Sequence, residues 1–154
     1  MPAAHSVAKI RVGAELESEA NPRLQEFQQF MADAIPYWKT LGLRLVEVAP
    51  GHAVFEADVS PGMMQNGVVH GGVLASIADS ACAVAGISHV FPKSYATTVN
   101  LQVAYLKPLR EGRFRAEGKC VKPGRSVLFC EARVVDQQGT PICTASSQLL
   151  VVSR

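Results

Sequence analysis

The chain has 154 residues with a formal net charge of +2, and 48% of its residues are hydrophobic. This length and composition are typical of one folded domain and exclude a disordered chain, while the small net charge argues against a nucleic-acid-binding protein. The apolar fraction is high for a monomer and indicates additional buried surface between subunits.

Membrane insertion and secretion are also not expected. The longest weakly charged stretch, residues 59–90, is interrupted by Pro61, His70 and Asp79, so the sequence predicts no membrane span. The residues after Met1 lack the apolar segment of a signal peptide, and we therefore expect a cytoplasmic protein.

The cysteine pattern predicts neither a disulfide framework nor a metal site. No CxxC pair and no Cys/His ligand spacing is present, so we expect buried free thiols and no bound metal. The four cysteines are Cys82, Cys120, Cys130 and Cys143.

The N-terminal region begins without periodicity. Residues 1–20 are expected to form a loose arm, and a helix is predicted over Arg23–Ala34, with Asn21 as its cap and Pro22 at its first position. The apolar positions of this helix recur every three or four residues and are Leu24, Phe27, Phe30 and Met31.

Six segments alternate between apolar and polar residues and are predicted to be strands. The first two form a hairpin around Ala49-Pro50-Gly51, and the last four follow one another through short turns, which favours an antiparallel meander. The segments are Leu41–Val48, His52–Val59, Ala96–Leu106, Gly112–Val121, Ser126–Asp136 and Pro141–Val152.

Between the two groups of strands lies a segment, Gly71 to about Ser88, that is apolar on nearly every side. A helix with this composition is expected to be buried on all sides. The simplest arrangement is an α+β fold in which a curved antiparallel sheet wraps around one long buried helix.

The helix contains one acidic residue, Asp79, and no basic residue within a turn of it. A buried carboxylate without a partner costs several kcal/mol, so an acid at this position indicates a functional site. The alternative is a structural Asp that accepts hydrogen bonds from Ser76, Ser80 or the neighbouring backbone.

The helix begins at Gly71-Gly72, directly after His70. Unpaired amides at a helix N-terminus attract negative charge, and glycines let a substrate oxygen approach them. Because seven residues separate Gly72 from Asp79, the amides and the carboxylate are about 10 Å apart along one helix. If both act on one substrate, they must come from two copies of the helix, and hence from a dimer.

These residues resemble the hot-dog-fold thioesterase superfamily, and within it the phenylacetate-pathway-type (PaaI-like) acyl-CoA thioesterases. The resemblance covers residues 40–152. It implies a hot-dog thioesterase domain over 40–154, preceded by an N-terminal arm and short helix over 1–39. The matching segments are Gly67–Gly72, Asp79, Thr97–Leu106 with Lys107-Pro108, and Pro123–Ser126.

The resemblance also implies roles for individual residues. Asp79 would be the nucleophile or general base, the Gly71 amide would polarise the thioester carbonyl, and His70 would position the substrate or the loop. Thr98 would orient the acid or a water molecule. His70 as a helix cap is the alternative for that residue.

One position departs from the family pattern. Many members carry Asn or Gln six residues before the His, where this sequence has Met64. Gln65 and Asn66 are the remaining candidates for the polar group, and Asn66-Gly67 is also a common turn dipeptide.

The implied activity is hydrolysis of acyl-CoA thioesters to a carboxylic acid and free coenzyme A. Coenzyme A is then part of the substrate, and no cofactor is expected. Binding of its phosphates and the adjacent substrate oxygen is assigned to Arg125, Lys107, Arg110 and Gly72. We expect a homodimer that assembles into a homotetramer. The alternatives are a hot-dog enoyl-CoA hydratase or dehydratase and a non-catalytic acyl-CoA-binding domain.

Overall fold

A computed structural model describes residues 22–153, which form a six-stranded antiparallel sheet, one long helix, two shorter helices and a small separate hairpin. The predicted N-terminal arm and the Asn21 cap lie outside the described residues. The helices are α1 (Pro22–Ala34), α2 (Pro36–Thr40) and α3 (Gly71–Val90), and the strands are β1 (Arg44–Ala49), β2 (His52–Asp58), β3 (Met64–Gln65), β4 (Val68–Val69), β5 (Ser94–Tyr105), β6 (Arg113–Pro123), β7 (Val127–Asp136) and β8 (Pro141–Ser153).

The strand order of the large sheet is β1-β2-β6-β7-β8-β5, and all neighbouring strands are antiparallel. The predicted hairpin of β1 and β2 is confirmed, and β6, β7 and β8 do form a meander. The expectation that β5 continues this meander is wrong, because β7 and β8 lie between β5 and β6. The connection from β5 to β6 packs against the rest of the domain at Leu109. The Leu109 side chain is buried, and its carbonyl accepts a hydrogen bond from the Val69 N–H of β4.

The bounds of the last four strands agree with the sequence to within two residues. Side chains that alternate along each strand explain this agreement, since one face of the sheet packs on α3 and the other faces outward. In β2, for example, Ala53, Phe55 and Ala57 are fully buried. The first strand begins at Arg44 rather than Leu41, because Leu41 and Leu43 are buried in the turn after α2.

The sheet wraps around α3 closely but on one side only. A Cβ atom at Gly118 of β6 would overlap the carbonyl oxygen of Ala81, so the strand contacts the helix backbone there. The prediction that α3 is buried on all sides is wrong, because one stripe of the helix is only partly covered by this chain. The stripe consists of Gly72, Val73, Ala75, Ser76, Asp79, Ser80 and Ala83.

Helix α3 is long and apolar enough to span a membrane by length and composition alone, with a mean hydropathy of 1.5 over 18 residues. Half of this window is buried inside the fold, and the sheet packs along the helix. These contacts identify α3 as the core helix of the domain and explain its hydropathy without a bilayer.

Of the two shorter helices, α1 packs beside the C-terminal end of α3 and α2 packs against Ser76 and Ser80 within it. Phe27 of α1 packs edge-on against Phe91, which follows α3, with 5.0 Å between ring centroids. Trp38 of α2 is buried against Phe55 of β2 at 4.8 Å. Phe27 and Met31 are buried as the helical period predicts, whereas Phe30 is exposed by 42% and packs at the margin against Phe91.

The close approach of β6 to α3 predicts a strong effect of one methyl group. Gly118→Ala should lower the free energy of unfolding by at least about 2 kcal/mol, because backbone atoms must move to admit the Cβ. Gly62→Ala is the matched control, since a Cβ there meets no atom within 4 Å. Urea unfolding at one protein concentration measures both, and equal midpoints would contradict the packing described here.

Candidate active site

The carboxyl group of Asp79 is held by a hydroxyl from the sheet. Thr98 of β5 donates a hydrogen bond of 2.8 Å from its Oγ1 to Oδ1 of Asp79. The register of β5 against β8 shifts between Thr98 and Asn100, so a bulge lies directly beside this contact. Bulges redirect neighbouring side chains and occur often near active sites. The structure therefore brings together Asp79 and Thr98, the contact that the family resemblance implies.

The two serines proposed as structural partners of Asp79 are engaged elsewhere. Ser76 donates to the Gly72 carbonyl and accepts from the hydroxyl of Tyr37. Ser80 donates to the Ser76 carbonyl and accepts from the indole N–H of Trp38. Both serines thus fix α2 on α3, and Asp79, which is partly exposed rather than buried, keeps one carboxylate oxygen without a hydrogen bond among the described residues.

At the N-terminus of α3, one amide has no acceptor among residues 22–153. His70 caps the helix: its Nδ1 accepts the Gly72 N–H at 2.8 Å, and its carbonyl accepts from Val73 and Leu74. Within residues 22–153, the Gly71 N–H has no acceptor. An unpaired N–H at this position is the donor that a developing negative charge requires. The cap predicted as an alternative for His70 is present, and it leaves Gly71, rather than Gly72, as the available donor.

The polar residues upstream of His70 lie on the β3–β4 hairpin. Asn66 and Gly67 form its turn, both with positive φ (51° and 77°), which is the conformation of a two-residue hairpin turn. Gln65 precedes them, and both Gln65 and Asn66 are exposed. The turn explains Asn66-Gly67 structurally, as one of the two readings of this dipeptide predicts.

Two of the predicted basic residues lie near this turn and the start of α3. Arg110 donates from its guanidinium to the Gly67 carbonyl at 3.2 Å. Lys107 follows the end of β5, where its backbone N–H bonds to the Ile142 carbonyl at 3.2 Å. Both side chains are exposed and adjoin the Gly71 end of the site.

Arg125 lies at the other end of the sheet. It precedes β7, whose Val127 pairs with Leu150, and Leu150 also pairs with Thr97 of β5. Eight residues of β5 separate Thr97 from Tyr105, which corresponds to about 27 Å along the strand. One chain therefore does not bring Arg125 together with Lys107 and Arg110. Arg125 lies at the Asp79 and Thr98 end.

Cysteine chemistry is not available at this site. Cys82 lies one turn after Asp79, and burial, reinforced by the Asp79 charge, raises the pKa of its thiol to about 12. At neutral pH such a thiol carries very little of the nucleophilic thiolate. All four cysteines are free, as the sequence predicts, although Cys120 is only partly buried.

The site also contains a residue, Tyr105, that the sequence does not predict to be part of it. The Tyr105 hydroxyl donates to the Gly71 carbonyl at 2.7 Å. Tyr105 lies within the strand segment that carries the family resemblance, but a tyrosine near a strand end has no spacing pattern that indicates a contact with a helix start.

The two candidate groups on α3, the Gly71 amide and the Asp79 carboxylate, are too far apart to act on one atom. Gly71 and Asp79 are eight residues apart on a continuous helix, a rise of about 12 Å. A single chain thus presents the carboxylate, held by Thr98, at one place and an amide without an acceptor among residues 22–153 at another.

Comparison with known proteins identifies the family. The family model of the Thioesterase superfamily matches residues 66–143, just over half of the chain. The chain belongs to the thioesterase superfamily. The matched region contains Asp79, Thr98 and the start of α3, and the fold is the hot-dog fold that the sequence predicts. Membership of this superfamily supports thioester hydrolysis as the general activity of the protein.

Three individual proteins are informative. The medium/long-chain acyl-CoA thioesterase YigI of Salmonella typhimurium is 25% identical over 76% of this chain and 86% of its own length. The 1,4-dihydroxy-2-naphthoyl-CoA hydrolase of Listeria monocytogenes is 23% identical over 73% of this chain and 93% of its own. The structure of Escherichia coli PaaI covers 86% of this chain and 95% of its own, with 22% identity and a TM-score of 0.80. The PaaI likeness concerns the fold.

Proposed function

We propose that this protein hydrolyses acyl-CoA thioesters in a site shared by two subunits, and that it belongs to the PaaI-like subgroup. The observation that carries the proposal is the distance between two groups on α3. Thr98 holds Asp79, and the Gly71 amide, which has no acceptor among the described residues, lies too far along the same helix to act on the same carbonyl group. Relatives that act on acyl-CoA substrates support the substrate class.

The chemistry follows from these two groups. The Gly71 N–H binds the thioester oxygen as it gains negative charge, which lowers the barrier to addition at the carbonyl carbon. Asp79 of the facing subunit acts either as the nucleophile or as the general base. Its carboxylate adds to the carbon and gives an anhydride that water then cleaves, or it takes a proton from an attacking water. In both routes the C–S bond breaks, the thiolate leaves and is protonated, and a carboxylic acid is formed.

The edge of the sheet supports the shared site. β5 is a 12-residue strand at the end of the sheet, with exposed apolar side chains such as Val99. A long edge strand without protection tends to pair with another chain. Antiparallel pairing of two β5 strands around a two-fold axis would set the Thr98 half of one against the Tyr105 half of the other. Each Asp79 would then approach the partner's helix start.

The same two-fold symmetry would bring together the basic residues that are far apart in one chain. Arg125 lies at the Asp79 end of its own chain, and Lys107 and Arg110 lie at the Gly71 end. In the proposed dimer these three cations would converge on one site from two subunits. They would provide charge for the phosphates of coenzyme A, which a single chain does not collect in one place.

Several further features belong to this proposal. The catalytic domain spans 40–154, and residues 22–39 form an addition that Trp38 and Tyr37 fix on α3.

The PaaI-like resemblance implies further assembly of the dimer into a homotetramer. Four free cysteines suit a reducing compartment such as the cytoplasm. The relatives act on both fatty and aromatic acyl groups, so the acyl group is left open.

Asp79→Asn should reduce the release of free coenzyme A from acyl-CoA substrates to background, because the amide is neither a nucleophile nor a base. A thiol-trapping dye measures the release on a panel of fatty and aryl thioesters. Unfolding by urea should show a folded variant, since the amide oxygen still accepts the Thr98 hydrogen bond. Near-normal hydrolysis by the folded variant would overturn the proposal.

The same panel separates the two alternative functions. A hydratase would change the absorbance of enoyl-CoA without releasing thiol. A non-catalytic domain would bind acyl-CoA, release no thiol and be unaffected in binding by a carboxylate-to-amide change. Either pattern in the wild-type protein would replace hydrolysis as its function.

Removal of the Gly71 N–H tests the second group. Gly71→Pro should lower kcat by about 10²–10³, the usual effect of losing an oxyanion donor. Proline is well tolerated at the first helical position, and the extended ψ of His70 (136°) suits the residue before a proline.

Gly71→Ala is the matched control for this variant. It adds a Cβ at the same place, 3.3 Å from the Tyr105 ring, but retains the N–H. The alanine variant should be at least about tenfold more active than the proline variant, in keeping with the value of the N–H. Equal losses in the two would show that the Cβ, and not the missing donor, is responsible.

A further inference from the structure

We propose that Tyr105 is a positioning residue for the Gly71 amide, fixing the peptide groups at the start of α3 through its hydroxyl. This inference rests on the proposed function, because it concerns the donor that binds the thioester oxygen. It adds a third part of the site, contributed by the strand that follows α3, to the carboxylate and the amide.

The peptide group between Gly71 and Gly72 is held at both ends. Its carbonyl accepts from the Tyr105 hydroxyl at 2.7 Å, and its N–H donates to Nδ1 of His70 at 2.8 Å. The plane of this peptide is therefore fixed by one side chain from β5 and one from the residue before the helix.

The preceding peptide group is fixed at its oxygen only. The His70 carbonyl accepts from Val73 at 3.0 Å and from Leu74 at 3.3 Å, while the Gly71 N–H at the other side of the same group is free. The direction of that N–H depends on ψ of His70 and φ of Gly71. Because the two peptide planes meet at the Cα of Gly71, fixing the next plane restricts the rotation about φ of Gly71.

Two successive glycines make such a restraint necessary. Glycine has no Cβ and reaches conformations that other residues do not, so a Gly-Gly helix start is intrinsically mobile. An N–H donor stabilises an oxyanion only when it is already aimed at the place where the charge develops. The Tyr105 hydroxyl orients the Gly71 N–H, and position 71 needs no side chain of its own for this.

Within one chain, Tyr105 contributes little to the packing of the core. Its side chain is 54% exposed in the single chain. The ring nevertheless lies over Gly71, where a Cβ would be 3.3 Å from its Cζ and hydroxyl oxygen. The contact that distinguishes this residue is therefore the polar one, made by the hydroxyl at the ring's tip.

The His70 cap also determines which nitrogen of its ring carries the proton. Because its Nδ1 accepts a hydrogen bond from Gly72, the proton of the neutral ring lies on Nε2. The cap thus presents an N–H on the exposed side of the ring, and Tyr105 stabilises this arrangement from the opposite end of the same peptide group.

Tyr105→Phe tests the proposal, because it keeps the ring and removes only the hydroxyl. We expect kcat for acyl-CoA hydrolysis to fall about tenfold, as for a donor that is misaligned rather than lost, with KM changed less than about twofold. The urea unfolding midpoint and the oligomeric state should remain those of the wild-type protein. The loss should be similar for fatty and aryl thioesters, since the amide contacts the carbonyl common to both.

Tyr95→Phe is the matched control. Tyr95 lies on the same strand and is 43% exposed, and its hydroxyl makes no hydrogen bond within the described part of the chain, so its variant should have wild-type kcat. Wild-type protein and Asp79→Asn run in the same assay: if wild-type protein does not hydrolyse the substrates, or Asp79→Asn remains active, the proposed function fails.

Three results would overturn the positioning role while leaving that function intact. They are a kcat of Tyr105→Phe within twofold of wild type, a loss confined to KM, and a loss that is matched by a lower unfolding midpoint. The last would show that the hydroxyl acts through stability.

Discussion

The length of one rigid helix determines how this site can work. Residues 71 and 79 are fixed on α3 about 12 Å apart, and the sheet packs so closely along the helix that β6 contacts its backbone at Ala81. A continuous helix in such contact does not bend to bring its first turn and its third turn to one carbonyl group. We therefore propose that the groups that react with one substrate come from two copies of the chain. Within residues 22–153, the partly exposed stripe of α3 and the outer edge of β5 leave the required surfaces open.

Two places on α3 contact different parts of β5. The Thr98 hydroxyl holds the carboxylate of Asp79 near the middle of the helix, and the Tyr105 hydroxyl bonds to the carbonyl of Gly71 at the helix start. The strand thus sets both groups relative to the sheet edge through which we propose that the subunits pair. Small changes at that edge are expected to alter catalysis without any contact with the substrate, because they move one half of the site against the other.

Much of this arrangement is visible in the sequence, since it depends on local pattern. An apolar helix with a single acid nine residues after His70, a glycine start and alternating strands predict the fold, Asp79 and the helix N-terminus. Thr98 follows from family resemblance, and the structure shows it in contact with Asp79. Long-range pairing is not encoded in such patterns. Long-range pairing determines that β5 lies beside β8, that Arg125 is separated from Lys107 and that Tyr105 contacts Gly71. It also determines the exposed stripe of α3, which hydropathy alone predicts to be buried.

The sharing of one site by two subunits is tested most directly by mixing two inactive proteins. Asp79→Asn and Gly71→Pro subunits are unfolded together in equal amounts, refolded, and assayed for acyl-CoA hydrolysis. In a shared site, every mixed dimer pairs the intact Asp79 of one subunit with the intact Gly71 of the other at one of its two sites. Random pairing in a two-fold dimer then restores about a quarter of wild-type activity. A mixture no more active than its two components, although the subunits have exchanged, would contradict the shared site.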